Sequence, residues 1–144
     1  MSPARPASAD DLLAIRALLE RAGLPTSDLI SARPEFVAIH ENGNLVAAGA
    51  LQRFGSSALV RSVVVSPGRR GTGLGASIVS ELERIAREAK VARLILLTQT
   101  ADKFFARHGY RAIERSAAPG DVRESEEFRS LCPTSAVCMA KVLA

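Results

Sequence analysis

Three glycines at alternate positions and two arginines make the stretch with the clearest chemistry. Arg69-Arg70-Gly71-Thr72-Gly73-Leu74-Gly75-Ala76 follows the β-branched run Val63-Val64-Val65 and the turn Ser66-Pro67-Gly68. Glycines let a backbone approach a bulky group and turn its N–H groups toward it. A helix starting there adds the positive end of its dipole. The arginines in front add mobile positive charge. Together these parts form a socket for a pyrophosphate. A nucleotide P-loop would end in Gly-Lys-Ser/Thr, and none follows. Gly71, Gly73 and Ala76 satisfy the G-x-G-x-x-A spacing of a dinucleotide fold. There, however, the strand runs almost straight into the first glycine, whereas here residues 67–70 intervene. The expected ribose-binding acid is also missing, because the next strand ends in Thr98-Gln99-Thr100. A plain helix-entry turn has no use for three glycines, each of which weakens a helix start.

Other residues with chemistry are scattered. Arg61 stands in the apolar stretch Leu59-Val60-Arg61-Ser62-Val63. Strict strand alternation sets Arg61, Val63 and Val65 on one face. There the guanidinium reads as an anchor for a substrate carboxylate or oxyanion, or as an ordinary sheet-edge arginine. Arg33 could serve the same purpose from its loop. His108, before Gly109, reads as the cap of a helix C-terminus. His40 reads as exposed near a hairpin, and Tyr110, the sole tyrosine, as core. Glu114 and Glu127 read as surface charges that could also act as bases. Cys132 and Cys138 form neither a disulfide framework nor a zinc pattern, and no metal site is expected.

The elements that position these groups follow from periodicity and punctuation. Ser8-Ala9-Asp10-Asp11 is a helix start with acids in its first turn. Leu12, Ile15, Leu18 and Leu19 continue it at helical spacing, and Gly23 and Pro25 end it. A short helix is expected near Asp28-Leu29-Ile30. Strands are expected over 35–40 and 45–54, joined at Asn42-Gly43, the strongest hairpin dipeptide in the chain. A third strand over 58–65 enters the glycine loop. Leu74, Ile78, Val79, Leu82 and Ile85 mark the next helix. A strand over 91–98, a helix over 101–108, a strand over 110–115, a polar loop over 116–133 with a helical turn at Glu126-Glu127-Phe128, and a last strand over 136–143 complete the reading. The class is α+β.

Against this background Arg70-Gly71-Thr72-Gly73-Leu74-Gly75 resembles the R/Q-x-x-G-x-G/A motif of the GCN5-related N-acetyltransferase (GNAT) superfamily. The context agrees. Val65-Ser66-Pro67 matches the V-x-P that precedes the motif, and Thr98, Ala101, Phe105 and Gly109-Tyr110 fall where N-x-x-A-x-x-x-Y and G-F/Y would follow. The resemblance covers most of the chain. Within the superfamily the chain looks like the small acetyltransferases of bacterial arsenic-resistance operons, on Leu24-Pro25-Thr26-Ser27-Asp28-Leu29, Leu59 to Val63, Leu96-Leu97-Thr98, and Glu127-Phe128 with Leu131 to Ala136.

The resemblance implies a mixed, mostly antiparallel central sheet flanked by helices, with a splayed strand pair that binds acetyl-CoA. Backbone groups of Val63, Val64 and Val65 would meet the pantetheine arm. Arg70, Gly71, Thr72, Gly73, Leu74, Gly75 and Ala76 would meet the pyrophosphate, with Arg69 or Arg70 near the phosphates. Thr98, Ala101, Phe104 and Phe105 complete the expected cofactor set. The family's usual tyrosine acid is replaced by Phe105. The usual acid before V-x-P is missing, with Ser62 in that region. Thr98, Arg61 and Ser62 are thus the catalytic candidates, and Arg61 and Arg33 the substrate-binding ones. The implied reaction is acetyl transfer to the amine of a small molecule, an amino acid or an amino-acid-like toxin. A non-catalytic acetyl-CoA sensor is the alternative.

Composition sets the outer limits. The 144 residues are read as a single acetyltransferase domain over 1–144. A net charge of +4 with only 4% aromatics is no nucleic-acid signature and suits a small anionic cofactor. No apolar run reaches the length of a membrane span, and residues 1–6 show no leader pattern. A soluble cytoplasmic protein is expected, with a homodimer left open.

Overall fold

The computed structural model describes residues 3–143. Met1, Ser2 and Ala144 lie outside them, so the leader reading of 1–6 falls partly beyond the described residues. The strands are β1 (Arg5–Pro6), β2 (Glu35–Glu41), β3 (Asn44–Phe54), β4 (Ser57–Val65), β5 (Arg93–Thr98), β6 (Arg111–Ala112) and β7 (Val137–Val142). The helices are α1 (Leu12–Arg21), α2 (Leu29–Ala32), α3 (Leu74–Glu88), α4 (Asp102–Arg107) and α5 (Gly120–Arg123). The strands form one sheet in the order β1-β2-β3-β4-β5-β7-β6. Only β4 and β5 are parallel; every other pair is antiparallel. This is the α+β arrangement that the periodicity implied, and it excludes the all-parallel dinucleotide fold.

Helix α3 covers one face of the sheet. Its Leu74, Ile78, Val79, Leu82 and Ala86 are buried at helical spacing against Ala47, Val60 and Leu94. Helix α1 covers part of the other face, where Ile15, Leu18 and Leu19 pack on Ala48 and Val64. The rest of that face is closed by Val122 and Phe128 against Leu59 and Ile95. The start at Ser8 holds, with the Ser8 N–H donating to Asp11 at 2.9 Å.

Three local expectations change. The strand expected over 110–115 shrinks to Arg111–Ala112, because the chain turns at Arg115–Ala117 and leaves the sheet. The stretch expected as a loop, 116–133, is largely helical, well beyond the single turn expected at Glu126-Glu127-Phe128. It holds α5 and a wide π-type turn over Glu127–Leu131, ordered by burial of Val122, Glu127 and Phe128. His40 is half-buried rather than exposed, with its Nε2 2.9 Å from Asp11 Oδ1.

A bulge in β4 has the largest consequence. Ala50 lies opposite Arg61 and Ala48 opposite Val64, so Gly49 alone faces Ser62 and Val63. Ser62 takes φ 59°, the left-handed region. A Cβ at Gly49 would collide with Ile78 of α3, so this crossing tolerates only glycine. The extra residue reverses the alternation. Val63 and Val65 join Val60 on the α3 face, while Val64 packs with α1. Arg61, Val63 and Val65 therefore do not share a face, contrary to strict alternation.

Candidate active site

Strands β4 and β5 pair only over Ser57–Leu59 and Arg93–Ile95. Beyond Leu59 they diverge, and β5 continues on β7 through Thr98. Among the described residues, the β4 backbone from Val60 to Val65 therefore has no strand partner on its β5 side. Unpaired edge groups of this kind pair readily with an extended ligand. The divergence opens a cleft of about 690 Å³. Val63, Val64, Val65, Arg70 and Gly75 line one side. Leu97, Thr98, Ala101, Phe104 and Phe105 line the other, and Ala22 to Pro25, Cys132 and Ala136 also belong to the lining.

The glycine loop forms the rim at the mouth. Gly71 and Gly73 have φ 79° and 86°, and Gly73 caps α3 in the left-handed region. A side chain at either would strain the turn. Leu74 buries its side chain in the core, so it offers the rim mainly backbone. Gly75 lets the Phe104 ring close in, since a Cβ there would lie 3.3 Å from it. The two arginines separate in role. Arg69 is tied to Glu41 at 2.8 Å. Arg70 is exposed and has no side-chain partner among the described residues, leaving it free for an anion at the cleft mouth. The fit to a pyrophosphate-bearing ligand with an extended arm is good: N–H-rich rim, free cation, 15-residue helix behind, unpaired strand edge within.

Inside, Thr98 Oγ1 accepts the Ala101 N–H at 3.0 Å and sets the entry to α4. Its own hydroxyl proton remains available to the cleft. Phe105 is buried, edge-on to Phe104 at 5.0 Å and to Tyr110 at 5.5 Å. Tyr110 is core: its hydroxyl donates to Glu83 at 2.9 Å, and burial, then Glu83, raises its pKa. His108 caps α4.

Arg61 is not the free anchor expected from its neighbourhood. Its side chain has 0% exposure. Nη1 and Nη2 grip Asp28 at 2.7 and 2.6 Å, Nη1 also donates to Gln52 at 3.1 Å, and Nε lies 3.3 Å from Glu127. A charge in an apolar strand must find such partners. Burial opposes its charge, but bonding to Asp28 and the field of Glu127 outweigh it and raise the pKa. Arg33 also leaves the candidate site. It sits in a left-handed turn after α2, beside a separate groove with Leu12 and Ile30.

Glu127 and Asp28 are the residues that the local pattern did not place. Glu127 is 4% exposed rather than a surface charge. Desolvation pushes its carboxyl up to about 7, with Arg61 pulling the other way. The available signals were indirect. An arginine inside an apolar strand calls for buried acids, and a glycine inside β3 hints at a bulge.

One further finding bears on a chain with this sheet order, cleft and rim. Residues 32–112, more than half of the chain, match the acetyltransferase (GNAT) domain. The chain belongs to the GNAT acetyltransferase family. Acetyl-CoA is the acyl donor of that family. An amino-acid acetyltransferase of Mycobacterium tuberculosis is 34% identical over 119 residues, covering 80% of this chain and 65% of that protein. Rv2747 from Mycobacterium tuberculosis, solved with CoA and a second ligand, matches at TM-score 0.84 and 28% identity over 98% of this chain and 99% of that one. N-acetylglutamate synthase from Neisseria gonorrhoeae, complexed with CoA and N-acetyl-glutamate, shares the fold at TM-score 0.85 and 22% identity. That match covers 100% of this chain and 35% of the synthase. The chain thus spans just under two thirds of the curated relative and about a third of the synthase.

Proposed function

We propose that this GNAT protein transfers the acetyl group of acetyl-CoA to the amino group of a small molecule of amino-acid type, by direct attack within the β4–β5 cleft. The observation that carries this reading is the unpaired β4 edge from Val60 to Val65, which lines the cleft together with the free Arg70 of the glycine rim. The relatives that act on amino acids support the acceptor class. The resemblance to acetyltransferases of arsenic-resistance operons adds an amino-acid-like toxin as a narrower acceptor.

In this reading the rim N–H groups and Arg70 hold the pyrophosphate, and the β4 edge holds the pantetheine arm. That places the thioester near Ser62, Thr98 and Phe105. A neutral amine attacks the carbonyl carbon. The new C–N bond forms, a tetrahedral intermediate collapses, and the C–S bond breaks with release of CoA thiolate. The amine proton leaves to solvent or a nearby acceptor, and the thiolate takes one up. Phe105 has no proton to give. The hydroxyls of Thr98 and Ser62 are donors on the cleft wall, and in this reading Phe105 packs the cleft so that the leaving sulfur is shielded.

Thiol release from acetyl-CoA in the presence of an amine panel tests the reading. Stoichiometric release with an acetylated product of amino-acid type is expected. Tight CoA binding with no release by any amine would make the protein a sensor and overturn the proposal.

A further inference from the structure

Resting on the reading that acetyl-CoA occupies the β4–β5 cleft, we infer that Lys141 is a positioning residue for the cofactor. It bridges α3 to the end of α4 and so sets the Phe104–Phe105 wall against the glycine rim. Lys141 stands on β7 and does not itself line the cleft. Its ammonium donates to Glu83 Oε1 and Oε2 at 3.0 and 3.1 Å and to the His108 carbonyl at 2.8 Å. Glu83 belongs to α3 and is 7% exposed, and His108 is the cap of α4. The same carboxylate accepts the Tyr110 hydroxyl, and the Tyr110 ring meets Phe105 edge-on. The Lys141 ammonium also lies 5.6 Å from the centroid of the Tyr110 ring.

The wall needs such a brace. Helix α4 has six residues, too few to be stable by its own hydrogen bonds. The last carbonyls of a helix have no donor within it, and a cation there satisfies one and suits the negative end of the dipole. Gly109, at φ 91°, turns the chain across the Lys141 stem, where a Cβ would lie 3.3 Å from Lys141 Cε. On the rim side the Phe104 ring closes on Gly75, in the first turn of α3. Helix α4 is thus seated on α3 at two places, the rim and Glu83, and its two aromatics line the cleft between β4 and β5. Arg87 does not replace Lys141, since it is half exposed and reaches Glu83 only at 3.9 Å. Without the ammonium the α4 wall loses its fixed distance from the rim, and a ligand that spans both binds less well.

Calorimetry with acetyl-CoA on the wild type, Lys141→Met and Lys141→Arg tests this. Lys141→Met is expected to raise the acetyl-CoA Kd about fivefold or more, because a misplaced wall weakens every contact made across it. Lys141→Arg keeps a cation that can bond both acceptors and is expected to bring Kd back to within about twofold of the wild type. A lysine that only stabilises the fold gives a different result: Lys141→Met lowers the calorimetric stoichiometry, as fewer molecules are folded, and leaves Kd unmoved. That result overturns the inference, as does a Kd in Lys141→Arg as weak as in Lys141→Met. If Lys141→Met does not fold, Glu83→Gln decides. It keeps the shape and an acceptor for Tyr110 but removes the charge that anchors Lys141 to α3, and is expected to raise Kd about threefold or more. An unchanged Kd there overturns the inference. A wild type that binds no acetyl-CoA refutes the cleft reading itself, whereas normal wild-type binding with unmoved variants refutes only the role of Lys141.

Discussion

Arg61 and Asp28, 33 positions apart, close a two-pronged ion pair at 2.6 and 2.7 Å with side chains 0% and 2% exposed. Removing one member of a sealed pair strands the other's charge. Asp28→Ala is expected to destabilise the fold by about 3–5 kcal/mol, read from the midpoint of urea unfolding. A loss under about 1 kcal/mol, the range of exposed pairs, would contradict the sealed geometry.

Glu127 predicts the shape of the pH–stability curve. Burial lifts its carboxyl from the ordinary 4.5 to about 7. The folded state therefore binds this proton more tightly than the unfolded chain does. The stability it contributes is full below pH 4.5 and is lost as pH rises through about 7. At about 1.36 kcal/mol per pKa unit, the loss is at most roughly 3 kcal/mol. Glu127→Gln should flatten this fall, so that the variant gains on the wild type between about pH 5 and pH 8. Parallel pH profiles of melting temperature would contradict the assignment.

The two loop arginines should behave differently. Arg70→Ala is expected to weaken acetyl-CoA binding by about tenfold or more, the worth of a charge-assisted hydrogen bond. Arg69→Ala, which breaks only the partly exposed pair with Glu41, should change it by less than about twofold. Calorimetry on both variants checks this, and the reverse order would misplace the pyrophosphate.

Phe105 supplies packing rather than a proton. Phe105→Leu should lower kcat only a few-fold, and Phe105→Tyr should keep or raise it, with both substrates saturating. Complete loss of turnover in the leucine variant, with CoA binding intact, would show a different role.

The glycine rim was legible because its chemistry is local: adjacent backbone groups, a strand before and a helix after. Hairpin Asn42-Gly43 and the apolar stripe of α3 were legible for the same reason. The Ser62 bulge was not, since it arises where α3 presses Ile78 onto Gly49. It reversed the strand alternation on which the placement of Arg61 depended. The Asp28–Arg61–Glu127 cluster joins three distant segments, and no local spacing encodes it. Phe128 and Val122 ordered a segment whose polar composition reads as loop, because burial at a few positions outweighs average polarity.

Direct transfer within one ternary complex is best tested by initial rates with acetyl-CoA and the acceptor both varied. Double-reciprocal lines that intersect to the left of the axis are the predicted result, because the amine attacks while acetyl-CoA is still bound. Parallel lines, with the intact protein gaining one acetyl mass from acetyl-CoA alone, would contradict it and point to an acyl-enzyme on a cleft residue such as Cys132.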